Sequence, residues 1–278
     1  MLSIEIIVAP EIMDLASSIH LLTSPHDFPG APNYRHRAGF PSRTSRIEPS
    51  RFGQALDNEL GNVQFPAEWR PSLIEVSCDA ILFDMDNTLL DSTICNEGIM
   101  GRWAEKYGLD RDLVIHISHG RRTTDSIREA APHLDAQEEA KEIDAEELVT
   151  REGIVEVPGA RRLLHGLKPH QWAIVTSASR ALANLRMECA GLPIPEVLIT
   201  GDDVSNGKPD PEGFLKAASR LGVPPGRCVV VEDSPAGILA GQRAGMKVVG
   251  VTTTFAAEKL PGIQHIANFH EVTFHLER

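Results

Sequence analysis

The chain has 278 residues, of which 42% are apolar and 24% are charged, and this composition fits a folded protein of one large or two modest domains. Its formal charge is −12, from 27 Lys and Arg against 39 Asp and Glu, which argues against nucleic acid as a partner because phosphate backbones are bound through clustered cations. No apolar run reaches the length of a membrane helix, so we expect no membrane association.

Residues 1–78 are predicted to form an irregular N-terminal extension. Prolines recur between His20 and Pro71 among Ser, Asn and Arg, and no helical or strand period is sustained there. The apolar start of the chain contains Glu5 and lacks a basic leader, which makes it a poor secretory signal. The four cysteines show no metal-binding spacing, so we expect reduced thiols in a cytoplasmic protein.

Apolar runs alternate with helical patterns from Asp79 onwards. The predicted strands are residues 80–83, 172–176, 227–231 and 247–251, with a weaker one at 196–200. The predicted helices between them are residues 179–189, 211–221 and 235–244. Continuous apolar strands alternating with helices are typical of a parallel sheet covered on both faces. We therefore predict an α/β fold with a Rossmann-like parallel-sheet core and helices on both faces.

Residues 92–155 interrupt this alternation, because helical patterns follow one another there without a strand-like run between them. We predict an all-helical cap of three or four helices inserted after the first strand, which leaves residues 79–91 and 156–278 as the core. The segment from Asp135 to Glu156 has nine acids against two basic residues. We interpret this surplus as a solvated helix face.

Two pairs of carboxylates follow predicted strands. Asp84 and Asp86 come directly after residues 80–83, and Glu232 and Asp233 come after residues 227–231. The carboxyl ends of parallel strands lie at one edge of a sheet, which is where open α/β sheets bind ligands. Buried carboxylates require a cation, and Mg²⁺ prefers oxygen ligands. The sequence therefore predicts a magnesium site at this edge.

Two further strand ends carry groups suited to phosphate. Thr176 and Ser177 offer hydroxyl and backbone N–H donors before a helix, and Lys208 offers an ammonium in the loop before another helix. Each of these residues alone is commonly a capping residue or a surface charge. Four polar sites in order at successive strand ends indicate a site for a phosphorylated substrate.

These motifs resemble those of the haloacid dehalogenase superfamily of aspartyl-nucleophile phosphatases. They are Asp84-Met85-Asp86-Asn87-Thr88, Thr176-Ser177, Lys208 and Glu232-Asp233. Residues 114–123, 155–159, 172–177 and 250–255 further resemble the fungal glycerol-3-phosphatase and 2-deoxyglucose-6-phosphatase group. The resemblance covers about residue 79 to the C-terminus. It implies Mg²⁺-dependent hydrolysis of a small sugar or polyol phosphate by a protein that we expect to be a monomer.

The resemblance also implies roles for the acidic residues. Asp84 would attack phosphorus and form an aspartyl-phosphate, and Asp86 would protonate the departing oxygen before taking a proton from water. Mg²⁺ would be held by Asp84, the main-chain carbonyl of Asp86, and Asp233, with Glu232 helping to hold the site.

The remaining motif residues would hold the phosphate. Lys208 and Thr176 would complete the clamp, and Asn87 and Ser177 would add backbone or side-chain donors. Asn87 departs from the family pattern, in which most members have Gly at this position. Because Asn tolerates a left-handed backbone better than other side chains, we expect the turn to be kept.

The predicted cap contains residues that could contact substrate when it closes and excludes water. Arg122 is the strongest candidate, because a guanidinium suits hydroxyl and phosphate oxygens. His116 and His119 either pack within the cap or contact substrate, and both interpretations stay open at this point. Nothing in the sequence determines the length of the substrate.

Two alternatives are weighed against a phosphatase. A β-phosphoglucomutase-like phosphosugar mutase would use the same motifs, but that group typically has a Gly-Val-Ser-Arg-like stretch in its cap, where this chain has residues 120–123 as Gly-Arg-Arg-Thr. A phosphate-binding scaffold with a degenerate site is the non-enzyme alternative. The presence of Asp84, Asp86, Lys208 and Asp233 together argues against it.

Overall fold

The computed structural model describes residues 73–277, and a six-stranded sheet lies at their centre. The strands are β1 (Ile74–Cys78), β2 (Ala80–Phe83), β3 (Leu90–Asp91), β4 (Val155–Glu156), β5 (Trp172–Val175), β6 (Leu198–Ile199), β7 (Cys228–Glu232), β8 (Lys247–Val251), β9 (Gln264–Ile266) and β10 (Val272–Leu276). The sheet has the order β6-β5-β2-β7-β8-β9, and all five neighbouring pairs run parallel. This confirms the predicted parallel-sheet α/β fold.

Eight α-helices accompany the strands over the described residues. They are α1 (Thr93–Lys106), α2 (Arg111–Ser118), α3 (Thr123–Ala130), α4 (Ala136–Glu147), α5 (Ala160–Gly166), α6 (Arg180–Cys189), α7 (Glu212–Leu221) and α8 (Pro235–Arg243). The last three lie within one residue of the helices predicted between the strands. Their starts agree with capping chemistry, since Ser179 and Ser234 accept backbone N–H groups from the first turns of α6 and α8.

Alternate residues of the central strands point to opposite faces of the sheet, and each face has its own apolar core. On β2, Ile81 and Phe83 belong to a cluster that includes side chains of α5 and α6, whereas Ala80 and Leu82 belong to a cluster with side chains of α7 and α8. Burial on both faces explains why these strands read as continuous apolar runs.

Helices α1 to α4 form a separate bundle. It has a third apolar cluster, made entirely of residues between Cys95 and Ile143, which includes Ile99, Trp103 and Ile127. The bundle leaves the core at β3 and returns at β4, and these two short strands pair antiparallel, with Leu90 opposite Glu156. Two adjacent chain segments therefore connect the four helices to the core. We call these four helices and the loops between them the insert.

The structure differs from the predicted irregular extension at its last residues. Strand β1 occupies residues 74–78 and pairs parallel with β10, and Val76 and Cys78 join the apolar cluster under one face of the sheet. The folded core thus begins at least five residues before Asp79, because Ile74, Val76 and Cys78 alternate with polar residues as a half-buried strand requires. The rest of the predicted extension lies outside the described residues. Within residues 73–277 no helix is both long and apolar enough to cross a membrane.

Candidate active site

The carboxyl ends of β2 and β7 bring three buried acids together. Asp84 follows β2, Glu232 is the last residue of β7 and Asp233 follows it. One oxygen from each lies within 4.8 Å of the others, and all three residues are at most 4% exposed. The predicted clustering of these acids at one sheet edge is thus present in the structure.

Lys208 is the cation inside this cluster. It is buried, and its Nζ atom donates to Asp84 Oδ1 at 2.5 Å and to Glu232 Oε1 at 2.6 Å. The two carboxylates hold the pKa of this ammonium above its ordinary value in spite of its burial. Lys208 reaches the site from the loop between β6 and α7, as its position in the sequence predicts.

Glu232 uses both carboxylate oxygens within the protein. While Oε1 accepts from Lys208, Oε2 accepts from the backbone N–H of Ser234 at 2.7 Å and from its hydroxyl at 2.9 Å. Gly237 in the first turn of α8 makes room for this carboxylate, because a Cβ atom there would overlap the Glu232 side chain. Glu232 is therefore placed to hold Lys208, and Asp84 and Asp233 are left as the better metal ligands.

The charges of this cluster fit a divalent cation. Three carboxylates surround one ammonium, and burial raises the pKa of Asp84 to about 7 although Lys208 opposes this change. Burial, assisted by the negative charges of Glu232 and Asp84, also raises the pKa of Asp233 well above its ordinary value. Asp233 accepts a hydrogen bond from the Thr254 hydroxyl on one oxygen, Oδ2. Unneutralised buried carboxylates are the donor set that Mg²⁺ prefers.

Asp86 lies beside this cluster with its carboxylate turned toward α6. Its Oδ1 atom accepts from the Ser92 hydroxyl at 2.7 Å and forms an ion pair with Arg186 Nη1 at 2.8 Å. Both contacts use the same carboxylate oxygen, Oδ1. The Asp86 side chain is 20% exposed and lines a cavity together with Asp84.

Arg186 links Asp86 to the insert. Its Nη2 atom donates to Glu147 Oε1 at 2.9 Å and to the Asn96 side-chain oxygen, and these partners lie on α4 and α1. The Asn96 amide donates in turn to Ser92, which closes a ring of hydrogen bonds back to Asp86. Burial raises the pKa of Glu147 to about 7 although Arg186 opposes this change, and the negative charges of Asp86 and Asp144 add to the effect of burial. Glu147 corrects the prediction that the acids of this segment only form a solvated face.

Thr176, Ser177 and Asn87, which the sequence predicts to bind phosphate, each form a different hydrogen bond in the structure. Thr176 is buried after β5 and accepts the backbone N–H of Ala178, while the Ser177 hydroxyl donates to the backbone oxygen of Gly120 in the insert at 2.9 Å. Asn87 has the expected left-handed backbone, with φ of 59°. Its side-chain oxygen accepts the backbone N–H of Ser92 at 3.1 Å, so it organises the start of the insert.

Arg122 and the two histidines join the insert to the core. Arg122 pairs with Asp125 at 2.6 Å and donates to the backbone oxygens of Val204 and Ser205 in a core loop. His116 and His119 both stand edge-on against Phe255, which follows β8. Burial lowers the pKa of His119, and the neighbouring His116 adds to this. Arg122 and His119 also line the cavity that contains Asp84.

This cavity lies between the sheet edge and the insert and has a volume of about 340 Å³. Asp84, Asp86, Asp233 and Thr176 line its core side, and α1, α3 and α4 supply most of its other wall. Most of the lining side chains are polar. Met100, Ala140, Ala178 and Leu182 are the apolar ones among the described residues. The arrangement can hold a small hydroxylated molecule with one end against the carboxylate cluster.

Comparison with known proteins agrees with this geometry. The family model described as "haloacid dehalogenase-like hydrolase" matches residues 78–245, which is more than half of the chain. This chain belongs to that family. The haloacid dehalogenase resemblance inferred from the four motifs is therefore confirmed.

Three proteins of known sequence or structure are similar to this chain. Hexitol phosphatase A of Escherichia coli is 42% identical over 63% of this chain and 83% of its own length. Glycerol-1-phosphate phosphohydrolase 2 of Saccharomyces cerevisiae is 37% identical over 71% of this chain and 85% of its own. The solved structure of a hydrolase from Pseudomonas syringae has a TM-score of 0.60 and 26% identity, over 71% of this chain and 93% of that one.

Sequence reasoning missed three residues of this haloacid dehalogenase-like site: Asn96, Glu147 and Arg186. A signal existed for Arg186, because it lies one turn after Leu182 on the face of α6 that meets the core, where a charged side chain needs a partner. The sequence gives no signal that Glu147 is buried, because it lies in a run of acids in which Glu142 and Glu146 are exposed.

Proposed function

We propose that this protein is a Mg²⁺-dependent phosphomonoester hydrolase that acts on a small sugar or polyol phosphate. The observation that carries this proposal is the buried cluster of Asp84, Asp233 and Lys208, because Asp84 and Asp233 line a polar cavity that the insert covers. The similarity to a hexitol phosphatase and to a glycerol-1-phosphate phosphohydrolase supports this substrate class. The insert would act as the cap that excludes water during transfer.

The proposed reaction has two steps. The Asp84 carboxylate attacks phosphorus, the bond from phosphorus to the ester oxygen breaks, and Asp86 gives a proton to the departing alkoxide. Water then attacks phosphorus of the aspartyl-phosphate, Asp86 takes the proton from this water, and inorganic phosphate and Asp84 are released. Lys208 and the Thr176 hydroxyl would hold the phosphoryl oxygens during both steps.

The proposed metal ligands are Asp84, Asp233 and the main-chain carbonyl of Asp86. Mg²⁺ when bound would neutralise negative charge on the transferring group. Glu232 would hold Lys208 beside the metal, since one Glu232 oxygen accepts from Lys208 and the other accepts from Ser234. A cytoplasmic location and a monomeric state stay predictions, which cell fractionation and light scattering would check.

A substrate panel tests the proposed function. Purified protein is incubated with glycerol-1-phosphate, a hexitol phosphate, 2-deoxyglucose-6-phosphate and glucose-1-phosphate, with Mg²⁺ or with EDTA, and free phosphate is measured. We expect phosphate release from at least one polyol or sugar phosphate with Mg²⁺ and none with EDTA. Release from no substrate would contradict the proposal, and conversion of glucose-1-phosphate to glucose-6-phosphate without free phosphate would identify a mutase.

The nucleophile is tested by Asp84→Asn. An amide cannot replace the carboxylate in the attack, so we expect kcat to fall by at least about 10³-fold while the thermal unfolding curve stays cooperative. Asp79→Asn is the matched control, because Asp79 lies directly before the first residue of β2, at the end of the strand away from Asp84, and pairs with Arg227. The control should keep its kcat, and activity retained by Asp84→Asn would mean that the nucleophile is misassigned.

A further inference from the structure

Arg186 occupies a position that neither the motifs nor the comparisons assign. Its side chain is 3% exposed, and it lies between a proposed catalytic acid of the core and two polar residues of the insert. It also lines the cavity, as do Asp86, Asn96 and Glu147. Burial of a guanidinium costs free energy unless its N–H groups form hydrogen bonds. An N–H group without a partner therefore indicates where a ligand could bind.

The hydrogen bonds of Arg186 leave its Nε atom without a partner among the described residues. Nη1 serves Asp86, and Nη2 serves Glu147 and Asn96, but Nε is buried and has no hydrogen-bond partner among residues 73–277. The ion pair uses the Oε1 atom of Glu147, which leaves Oε2 as an acceptor. A hydroxyl both accepts and donates, so it is the simplest group that satisfies Arg186 and Glu147 together.

The position of Arg186 determines which hydroxyl this would be. Asp86 is the residue that would protonate the ester oxygen, and Arg186 is in direct contact with the Asp86 carboxylate. The substrate atoms that can lie beside Arg186 are therefore those next to the ester oxygen. We propose that Arg186 and Glu147 form a specificity subsite for a hydroxyl on the carbon adjacent to the phosphorylated carbon. This inference rests on the proposed function and narrows its substrate class to phosphomonoesters with a free hydroxyl on that carbon, which include the phosphates of open-chain polyols.

Charge and hydrogen bonding distinguish substrates with this hydroxyl from substrates that carry a second anionic group or an ether oxygen at the same position. A second anionic group at this position would be attracted by Arg186 but repelled by Asp86, Glu147 and Asp144, which all line the cavity. A pyranose 6-phosphate has a ring ether oxygen bonded to the adjacent carbon in place of a hydroxyl, and an ether oxygen cannot donate to Glu147. A neutral polyol with a free hydroxyl there satisfies both side chains.

The first experiment needs only the wild-type protein. Glycerol-1-phosphate is compared with 3-hydroxypropyl phosphate, which has the same chain length and charge but lacks the middle hydroxyl. We expect kcat/KM with Mg²⁺ to be at least about tenfold higher for glycerol-1-phosphate, because the analogue leaves buried polar groups unpaired. Equal kcat/KM values for the two compounds would overturn the subsite while leaving the proposed function intact. Phosphate release from neither compound nor any other member of the panel would overturn the proposed function itself.

The second experiment assigns the discrimination to Arg186. Arg186→Lys keeps a cation beside Asp86 but removes Nε and the planar fork. We expect kcat to fall for both compounds and the ratio of their kcat/KM values to fall toward one. Arg180→Lys is the matched control, since Arg180 begins the same helix and pairs with Asp203 at the surface. It should keep the wild-type ratio, and an unchanged ratio in Arg186→Lys would overturn the assignment.

Discussion

Lys208 stabilises a group of carboxylates that would otherwise repel one another. Its Nζ atom contacts Asp84 and Glu232, and Asp233 lies in the same cluster. The ammonium is buried, so its charge is weakly screened and its removal leaves buried negative charge behind. At the scale of single residues, we therefore expect Lys208 to stabilise the fold in addition to its proposed role in phosphate binding.

We expect Lys208→Met to lower the free energy of unfolding of the metal-free protein by about 3 kcal/mol at pH 8, because the buried carboxylates lose their counterion. Denaturant unfolding with EDTA measures this change. Lys216→Met is the control, since Lys216 pairs with Glu212 at the surface and such pairs contribute at most about 1 kcal/mol. Equal losses in the two variants would show that the buried cluster does not depend on Lys208.

The loop between α2 and α3 is the element that brings the insert against the sheet edge. Gly120 has φ of 71°, and a Cβ atom there would overlap the Ser234 side chain at the start of α8. The backbone oxygen of Gly120 accepts the Ser177 hydroxyl across the same junction. The close approach of the insert to the core thus depends on a residue without a side chain at this point.

We expect Gly120→Ala to lower kcat/KM by at least about tenfold, because the added methyl group holds the insert away from the site. Gly108→Ala is a matched control in the same insert, since Gly108 also has a positive φ but an added Cβ atom there would meet no neighbour within 4 Å. Both variants should lose about 1 kcal/mol of stability from backbone strain. Steady-state kinetics and thermal unfolding separate the two effects, and equal activities would argue against closure at Gly120.

The buried acids Asp84, Glu147 and Asp233 make the stability of the whole molecule depend on pH. The pKa values of Asp84 and Glu147 are raised to about 7 and that of Asp233 is also raised well above its ordinary value, so the folded protein binds protons that the unfolded chain releases. Stability then decreases as the pH rises, because the native state binds more protons than the unfolded state. His119 acts in the opposite direction, since burial lowers its pKa.

We expect the free energy of unfolding of the metal-free protein to fall by about a few kcal/mol between about pH 5 and about pH 8, because the carboxyl groups with raised pKa values outweigh the one histidine with a lowered pKa. Addition of Mg²⁺ at pH 8 should recover most of this loss by binding the ionised carboxylates. Denaturant unfolding at both pH values, with EDTA and with Mg²⁺, provides the measurement. A stability that rises over this range would contradict the assigned pKa directions.

Much of the fold follows from local patterns in the sequence. The strands β2, β5, β7 and β8 are continuous apolar runs, and their helices start at capping residues, so period and capping chemistry identify them without tertiary information. The same patterns bring Asp84, Thr176, Lys208 and Asp233 to one edge, because the carboxyl ends of parallel strands coincide. Strand β1 was not predicted because only one residue separates it from β2 and its pairing partner, β10, is almost 200 residues away.

The tertiary structure alone decided how the insert contributes to the site. Glu147 is buried, whereas Glu142 and Glu146 are exposed. This difference depends on how α4 is rotated against the core, and the composition of the segment contains no information on that rotation. The contact between Arg186 and Asp86 likewise joins residues 100 positions apart on two elements. The sequence by itself therefore determined the family, the sheet and the carboxylate cluster. Only packing of the insert onto the sheet determined which of its side chains line the cavity beside Asp84 and Asp86, since those contacts depend on how the two layers approach each other.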